Sequence, residues 1–279
     1  MYIYTILFTL VGVEPSKNRY IDMFFIWISY IIRNSGLNLE DKIIILIDEP
    51  TLNFLNDKSN IVLLTDKSKV HIEFHIINQP KTITEGILER YNINNLILSP
   101  LTLFLDLDIL VIKNIKTLLS VSYPKDTLIV MGEGKIHEEC YAGNLIDLPK
   151  ELEGHCGFSA GWFLFSAGNA LVDFFKIITK ECLENIETPR YTIDQPFYNK
   201  YIYKILYEKI IPLDIKIASK VYLDNNTFDP SPDTYFINYA GIPGDDTFHY
   251  DKLFSMLCKD FIESPNSKEV SEKIYTYEN

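Results

Sequence analysis

Along the chain, short wholly apolar stretches alternate with stretches whose apolar residues recur every three to four positions. Tyr2 to Leu10 is a continuous apolar run followed by the loop Val11 to Asn18, which predicts a strand buried on both faces. Residues 19 to 34 form an apolar helix that stops at Asn34-Ser35-Gly36. Its apolar stretch, Met23 to Ile32, lies between Arg19 and Asp22 on one side and Arg33 on the other. It is too short for a membrane span of about 20 residues and reads as a buried helix. Further strands are expected at Lys42 to Ile47 (ended by Asp48-Glu49-Pro50), Val70 to Ile77, Leu101 to Leu105, Leu128 to Met131, Gly161 to Phe165 and Tyr235 to Tyr239. Helical patterns occupy Thr82 to Tyr91, Leu171 to Leu183 and Gln195 to Leu206. Strands alternating with helices predict an α/β fold around a mostly parallel central mixed sheet flanked by helices. No internal repeat and no linker rich in Pro, Gly or Ser interrupts the pattern, and Glu263 to Asn279 is a polar extension.

Composition narrows the function. The 279 residues carry 38 acidic and 26 basic side chains, a net charge of −12. This balance argues against sequence-independent nucleic-acid binding, which needs clustered Lys and Arg. The four cysteines (Cys140, Cys156, Cys182, Cys258) lie far apart with no CxxC pair. They read as free thiols in a reducing compartment, not as a zinc site or a disulfide framework. The N-terminus lacks the basic region of a signal peptide, and no transmembrane segment is evident. The expected location is cytoplasmic.

The sharpest chemical feature is Leu103-Phe104-Leu105-Asp106-Leu107-Asp108-Ile109-Leu110-Val111. Two carboxylates spaced i, i+2 close a buried apolar strand, and side chains at that spacing lie on one side of a strand. Two like charges so close together are costly unless a cation joins them. The carboxyl end of a parallel strand is also where α/β folds bind ligands. Oxygen donors favour Mg²⁺ or Mn²⁺, which keep positions open for substrate phosphates. Two solvated acids at a strand end are the plainer alternative.

The segment LTLFLDLDILVIKNIKTLL resembles the DxD strand of GT-A-fold (Rossmann-like) glycosyltransferases. It is most similar to the retaining group that includes glycogenin and the bacterial lipopolysaccharide galactosyltransferases, glycosyltransferase family 8 and relatives. GFSAGWFLFS (Gly157 to Ser166), DQPFYNKYI (Asp194 to Ile202) and INYAGIPG (Ile237 to Gly244) resemble three later segments of that family in the same order. The resemblance implies one GT-A domain over residues 1–262. Residues 1–130 would form its nucleotide-binding half, 131–262 its donor-sugar and acceptor half, and 263–279 an extension.

It also implies roles. Asp106 and Asp108 would hold Mn²⁺ or Mg²⁺ on the diphosphate of a nucleotide sugar, with UDP the expected nucleotide, and Leu107 would line the same turn. Thr9, Leu10 and Val11 would contact base and ribose, and Ser159, Ala160 and Gly161 the donor sugar. Asp194 and Gln195 would sit beside the anomeric carbon and an unknown acceptor. Asn238 falls where the family has a His as third metal ligand, with His249 eleven residues on, and Gly241 belongs to the same segment. Ser159 also departs from the usual Asn.

The residues accommodate this chemistry. A departing diphosphate gains charge, which a Lewis-acid metal offsets with help from cationic groups. Lys252 and Lys81 are phosphate candidates, each also readable as a surface lysine. Retention would place a carboxylate or amide on the sugar face opposite the leaving group, for which Asp194 and Gln195 are the candidates. Asp194 equally suits the N-cap of the following helix, with Pro196 at its start. His71, His75, His137 and His155 show no ligand spacing and read as structural, and Trp162 and Tyr141 read as core.

Two other classes compete. FLDLDILV also resembles the first motif of haloacid-dehalogenase-type phosphatases, with Asp106 as nucleophile. Phe165-Ser166 and Gly241 to Asp251 would then imitate later motifs. Against this, about 100 residues of α/β pattern precede the motif, and Leu110 stands where a Thr is usual. The second alternative is a non-catalytic glycosyltransferase-like binding protein, suggested by Asn238. A chain this acidic repels a nucleotide diphosphate at long range, so the transferase reading requires a divalent cation.

Overall fold

A computed structural model describes residues 1–57, 70–93, 101–119, 122–145, 152, 154–166, 168–185, 193–213, 217–220 and 232–239. The residues 263–279 lie outside this set, as do Gly241, His249 and Lys252.

Strand β1 (Tyr2–Leu7) leads through a loop to helix α1 (Arg19–Asn34), whose first turn is capped by the Asn18 side chain accepting from the Tyr20 N–H. Strand β2 (Lys42–Asp48) runs directly into helix α2 (Glu49–Asp57). The strand ends at Asp48-Glu49-Pro50 as expected, and Pro50 sits in the first turn of α2, where its missing N–H costs nothing. Strand β3 (His71–Ile77), helix α3 (Ile83–Leu88) with its 3₁₀ continuation Glu89–Tyr91, and strands β4 (Thr102–Leu105) and β5 (Ile109–Val111) follow. Then come β6 (Thr127–Lys135), β7 (Cys156–Ser166), helix α4 (Asn169–Glu184) and helix α5 (Gln195–Tyr201), which continues as a π-turn to Leu206. Short strands β8 (Ile210–Leu213), β9 (Ala218–Lys220) and β10 (Phe236–Asn238) complete the described elements.

The main sheet has seven strands in the order β3-β2-β1-β4-β7-β6-β8. All neighbouring pairs are parallel except those of β7, which runs antiparallel to both β4 and β6. The uninterrupted apolar strands divide by alternation. Ile3, Ile43, Ile45, Leu103, Leu105 and Trp162 face α1 on one side. Tyr4, Ile44, Phe104, Phe163 and Phe165 face α4 and α5 on the other. Such two-sided burial marks a sheet covered by helices on both faces. Helix α1 is therefore a core helix, and no described helix is long and apolar enough to cross a membrane.

A second, three-stranded sheet, β5-β10-β9, is built on the exit from the DxD turn. Antiparallel pairing of β10 with β5 sets Asn238 opposite Ile109. Three of these strands have only three residues, too short to leave an alternation signal in sequence.

Candidate active site

The carboxyl ends of β1, β2, β3 and β4 share one edge of the sheet, and the turn Asp106-Leu107-Asp108 stands there between β4 and β5. Ile109 N–H closes it onto the Asp106 carbonyl at 3.0 Å, and Asp106 N–H is held by the Gly161 carbonyl of β7 at 2.9 Å. Tyr239 N–H donates to the Asp108 carbonyl at 2.9 Å, tying the turn to β10. Leu107 is buried, while Asp106 and Asp108 are half-buried. Gly161 is required here: a Cβ at that position would lie 2.7 Å from Asp106 Oδ2.

The residue that organises the site is Arg90, which the sequence alone did not single out. Its buried guanidinium donates from Nη1 to Asp106 Oδ2 at 3.1 Å and to the Ala160 carbonyl at 2.9 Å. Its Nε donates to the Ile87 carbonyl at 3.1 Å and lies 3.7 Å from Asp194 Oδ2. The ring of Phe104 backs the guanidinium at 4.9 Å. Asp194 also accepts from the Tyr91 hydroxyl at 2.6 Å, and Tyr91 is stacked among Phe163, Phe175 and Tyr198. Asp194 precedes α5 as an N-cap would, but its side chain makes no capping bond. Pro196 removes one donor from that first turn, and the charge of Arg90 draws the carboxylate inward.

Glu133, near the end of β6, is a second residue that sequence reasoning missed, because the apolar run ends at Met131. Register shifts at Gly132 and Gly134 re-aim the strand there. The Asn238 amide donates to Glu133 Oε1 at 2.7 Å, and the Tyr141 hydroxyl reaches Glu133 Oε2 at 3.2 Å. Burial, followed by the charge of Asp194 and of Glu133, raises the Asp106 carboxyl; Arg90 opposes this. Burial, then the charges of Asp106 and Glu133, raises Asp108 further. The two titrate as one site short of positive charge.

A divalent ion suits this donor set. Among the described residues no three His, Cys, Asp or Glu side chains form a cage by themselves. Two carboxylates with further positions left to substrate oxygens are the pattern of Mg²⁺ and Mn²⁺ shared with phosphates. A cation there would offset the burial and the like charges that raise both groups.

The residues that the family resemblance assigns to sugar and nucleotide lie in two places. Ser159 and Ala160 are buried on β7 beside Gly161. Gln195 Oε1 accepts from Ala160 N–H at 2.9 Å, while its Nε2 donates to the Cys140 carbonyl at 3.1 Å. One turn on, Asn199 brackets Phe158, accepting from its N–H at 2.7 Å and donating to its carbonyl at 2.8 Å. The D-Q-x-x-x-N pattern is thus a clamp of α5 on β7. At the other side, Thr9 N–H donates to buried Asp48 Oδ2 at 2.8 Å, and the Thr51 hydroxyl lies 2.6 Å from the same oxygen. Gln79 Nε2 donates to the Thr9 carbonyl at 3.2 Å, and Val11 N–H to the Pro80 carbonyl at 2.9 Å. Lys81 is exposed and next to Pro80, so Thr9, Leu10, Val11 and Lys81 meet on one rim. Trp162 and Tyr141 are buried as expected, and Cys140, Cys156 and Cys182 are unbridged.

No protein-family model and no curated protein matches the sequence. Solved structures match the fold. The bifunctional glycosyltransferase WbbM aligns over 97% of this chain and 51% of its own, with 16% identity and a TM-score of 0.58. LgtC, a galactosyltransferase solved with donor and acceptor sugar analogs, aligns over 95% of this chain and 98% of its own, with 13% identity and a TM-score of 0.55. Mouse xyloside xylosyltransferase 1 aligns over 79% and 87%, with 13% identity and a TM-score of 0.51. The chain spans about half the length of the WbbM chain it matches. It has the GT-A fold of glycosyltransferases, with the mostly parallel central sheet flanked by helices that the sequence predicts.

Proposed function

We propose that the protein is a metal-dependent glycosyltransferase that moves a sugar from a nucleotide diphosphate sugar, UDP in particular, to an acceptor hydroxyl with retention. The observation that carries this is the Asp106–Asp108 turn, fixed by Arg90 and Gly161 at the carboxyl edge of a sheet shared with LgtC. Asp106 and Asp108 hold Mn²⁺ or Mg²⁺, which offsets the charge that develops on the departing diphosphate. Thr9, Leu10 and Val11, braced by Asp48 and Gln79, receive the base and ribose, and Lys81 on the same rim faces the phosphates. Ser159, Ala160 and Gly161 line the sugar. Asp194 and Gln195 stand beside its anomeric carbon. The Gln195 amide is held by Ala160 and Cys140 and Asp194 by Tyr91 and Arg90, so both candidates are kept in fixed positions, and Asp194 is the one that carries negative charge. Gly241 and Lys252 would contact the diphosphate from the segment after β10. The acceptor is a hydroxyl compound, and the expected setting is the cytoplasm.

The phosphatase alternative needs Ser166 beside Asp106. Trp162 pairs with Leu105 and Phe165 with Thr102. Asp106 lies opposite Gly161, so Ser166 is toward the opposite edge of the sheet, roughly five residues or about 17 Å of strand away. Calorimetric titration with UDP separates the readings: the transferase binds UDP only with a divalent ion and loses it in Asp108→Asn. Hydrolysis of p-nitrophenyl phosphate abolished by Asp106→Asn would support the phosphatase instead.

A further inference from the structure

Resting on that reading of the nucleotide rim, we propose that Gln79 selects the base. Its Oε1 accepts the ring N–H that uracil carries at N3 and guanine at N1, and it disfavours cytosine and adenine, whose corresponding ring nitrogens are acceptors. The loop after β1 spends most of its own polar groups on the protein. The Thr51 hydroxyl lies 2.6 Å from Asp48 Oδ2 and 2.8 Å from Thr9 Oγ1. Its single proton goes to the carboxylate, the stronger acceptor. The Thr9 hydroxyl therefore donates to Thr51 and accepts from Asn18 Nδ2 at 2.9 Å. Thr9 is 2% exposed, and its N–H is held by Asp48 at 2.8 Å. The Val11 N–H is held by the Pro80 carbonyl, and the Leu10 carbonyl accepts from the Val13 N–H at 3.0 Å. The Thr9 side chain has no donor left for a ligand.

Gln79 stands two residues beyond the end of β3, half-buried on the same rim. Its Nε2 lies 3.2 Å from the Thr9 carbonyl and 3.4 Å from the Leu10 carbonyl. Only the NH₂ end of an amide can meet two carbonyls, which fixes which end is which. Both amide protons are thereby committed, and Oε1 makes no hydrogen bond among the described residues. Gln79 thus offers the rim an acceptor and no donor. Such an acceptor gains a hydrogen bond from a ring N–H, but meets another lone pair at the ring nitrogen of cytosine or adenine. Mismatches of this kind are how a polar site rejects an analogue. The Leu10 N–H, also without a partner among the described residues, is a donor for the base carbonyl that uracil and guanine carry beside their ring N–H.

The test is calorimetric titration of the full chain, at saturating Mg²⁺, with UDP, GDP, CDP, ADP and UDP methylated at N3. UDP should bind about tenfold or more tightly than CDP and than the methylated UDP, the scale of one hydrogen bond lost with its acceptor left unmet. Gln79→Lys keeps donors for the Thr9 and Leu10 carbonyls but has no acceptor. It should keep the melting temperature and narrow or reverse the gap between UDP and CDP; the added charge acts on every diphosphate alike, so the ratio is the readout. Equal affinity of the wild type for UDP, CDP and methylated UDP would overturn the inference while leaving the nucleotide reading intact. A UDP-to-CDP ratio unchanged in Gln79→Lys would overturn it too. Binding of GDP in place of UDP would support the selection by ring N–H and move the donor from uracil to guanine. Failure of the wild type to bind any of these nucleotides would remove the nucleotide reading itself, and this inference with it.

Discussion

Arg90 donates to Asp106 across 3.1 Å while its Nε stands 3.7 Å from Asp194. One buried cation thereby links the DxD turn to the start of α5, elements 88 positions apart in the chain (194 − 106). Removing it strands two carboxylates. Arg90→Met is expected to cost about 3–5 kcal/mol, the scale for breaking a buried ion pair from one side. The loss, read by urea unfolding, is smaller at pH 5 than at pH 8, because the stranded Asp106, raised by burial, takes up a proton at the lower pH. An equal loss at both pH values would contradict the pairing.

The Asp106–Asp108 pair gives stability a signed pH dependence. Both carboxyls are raised in the folded protein, Asp106 to about 6 and Asp108 to about 8, against about 3.9 in the unfolded chain. Between these limits the folded state holds protons that the unfolded state has lost. The pair's contribution to stability therefore falls as pH rises from about 4 to 8. Melting temperatures without metal should decline over that range more in wild type than in Asp108→Asn, which carries one acid fewer. Added Mg²⁺ should restore the most stability at the upper end. A metal effect that grows as pH falls would refute this.

Gly161 lets the DxD turn approach β7. Because a Cβ there meets Asp106 Oδ2 at 2.7 Å, Gly161→Ala is expected to destabilise by about 1–3 kcal/mol through overpacking. It would also displace a carboxylate proposed to hold the metal, so on that proposal metal-dependent UDP binding should weaken about tenfold, the lower end for disturbed ligand support. Unaltered UDP affinity would show that Asp106 is not a ligand.

The clamp of α5 on β7 is tested at Asn199. Asn199→Ala leaves the N–H and carbonyl of Phe158 unpaired in the core, at about 1–3 kcal/mol for each group. Urea unfolding of this variant should reveal that loss, and Asn199→Gln, one methylene longer, should not recover it.

Much of the scaffold was legible because its strands are buried on both faces. The runs at β1, β2 and β4 are almost wholly apolar, and the central stretch of α1, Met23 to Ile32, is dense in apolar residues. The DxD turn was legible because paired acids after such a strand are chemically conspicuous. Arg90 was not. A lone Arg at the end of a short helix looks like a solvated group, and only the fold brings it against Asp106, Asp194 and Ala160. The available signal was its setting among Leu88, Tyr91 and Ile93, all buried. Glu133 was hidden by the glycines on either side of it, which end the apolar run while the strand continues through register shifts. Asp194 was read as a cap or a catalytic group. Its neighbours settle where it points, since Tyr91 and Arg90 hold it inside the site.

The central claim is that the Asp106–Asp108 turn serves sugar transfer from a nucleotide donor. It is tested most directly by incubating the protein with a panel of UDP- and GDP-sugars, with and without Mg²⁺ or Mn²⁺, and measuring release of the nucleoside diphosphate. The account predicts metal-dependent release from at least one UDP-sugar, abolished in Asp108→Asn. No release from any donor, together with no thermal shift by any nucleotide, would contradict it.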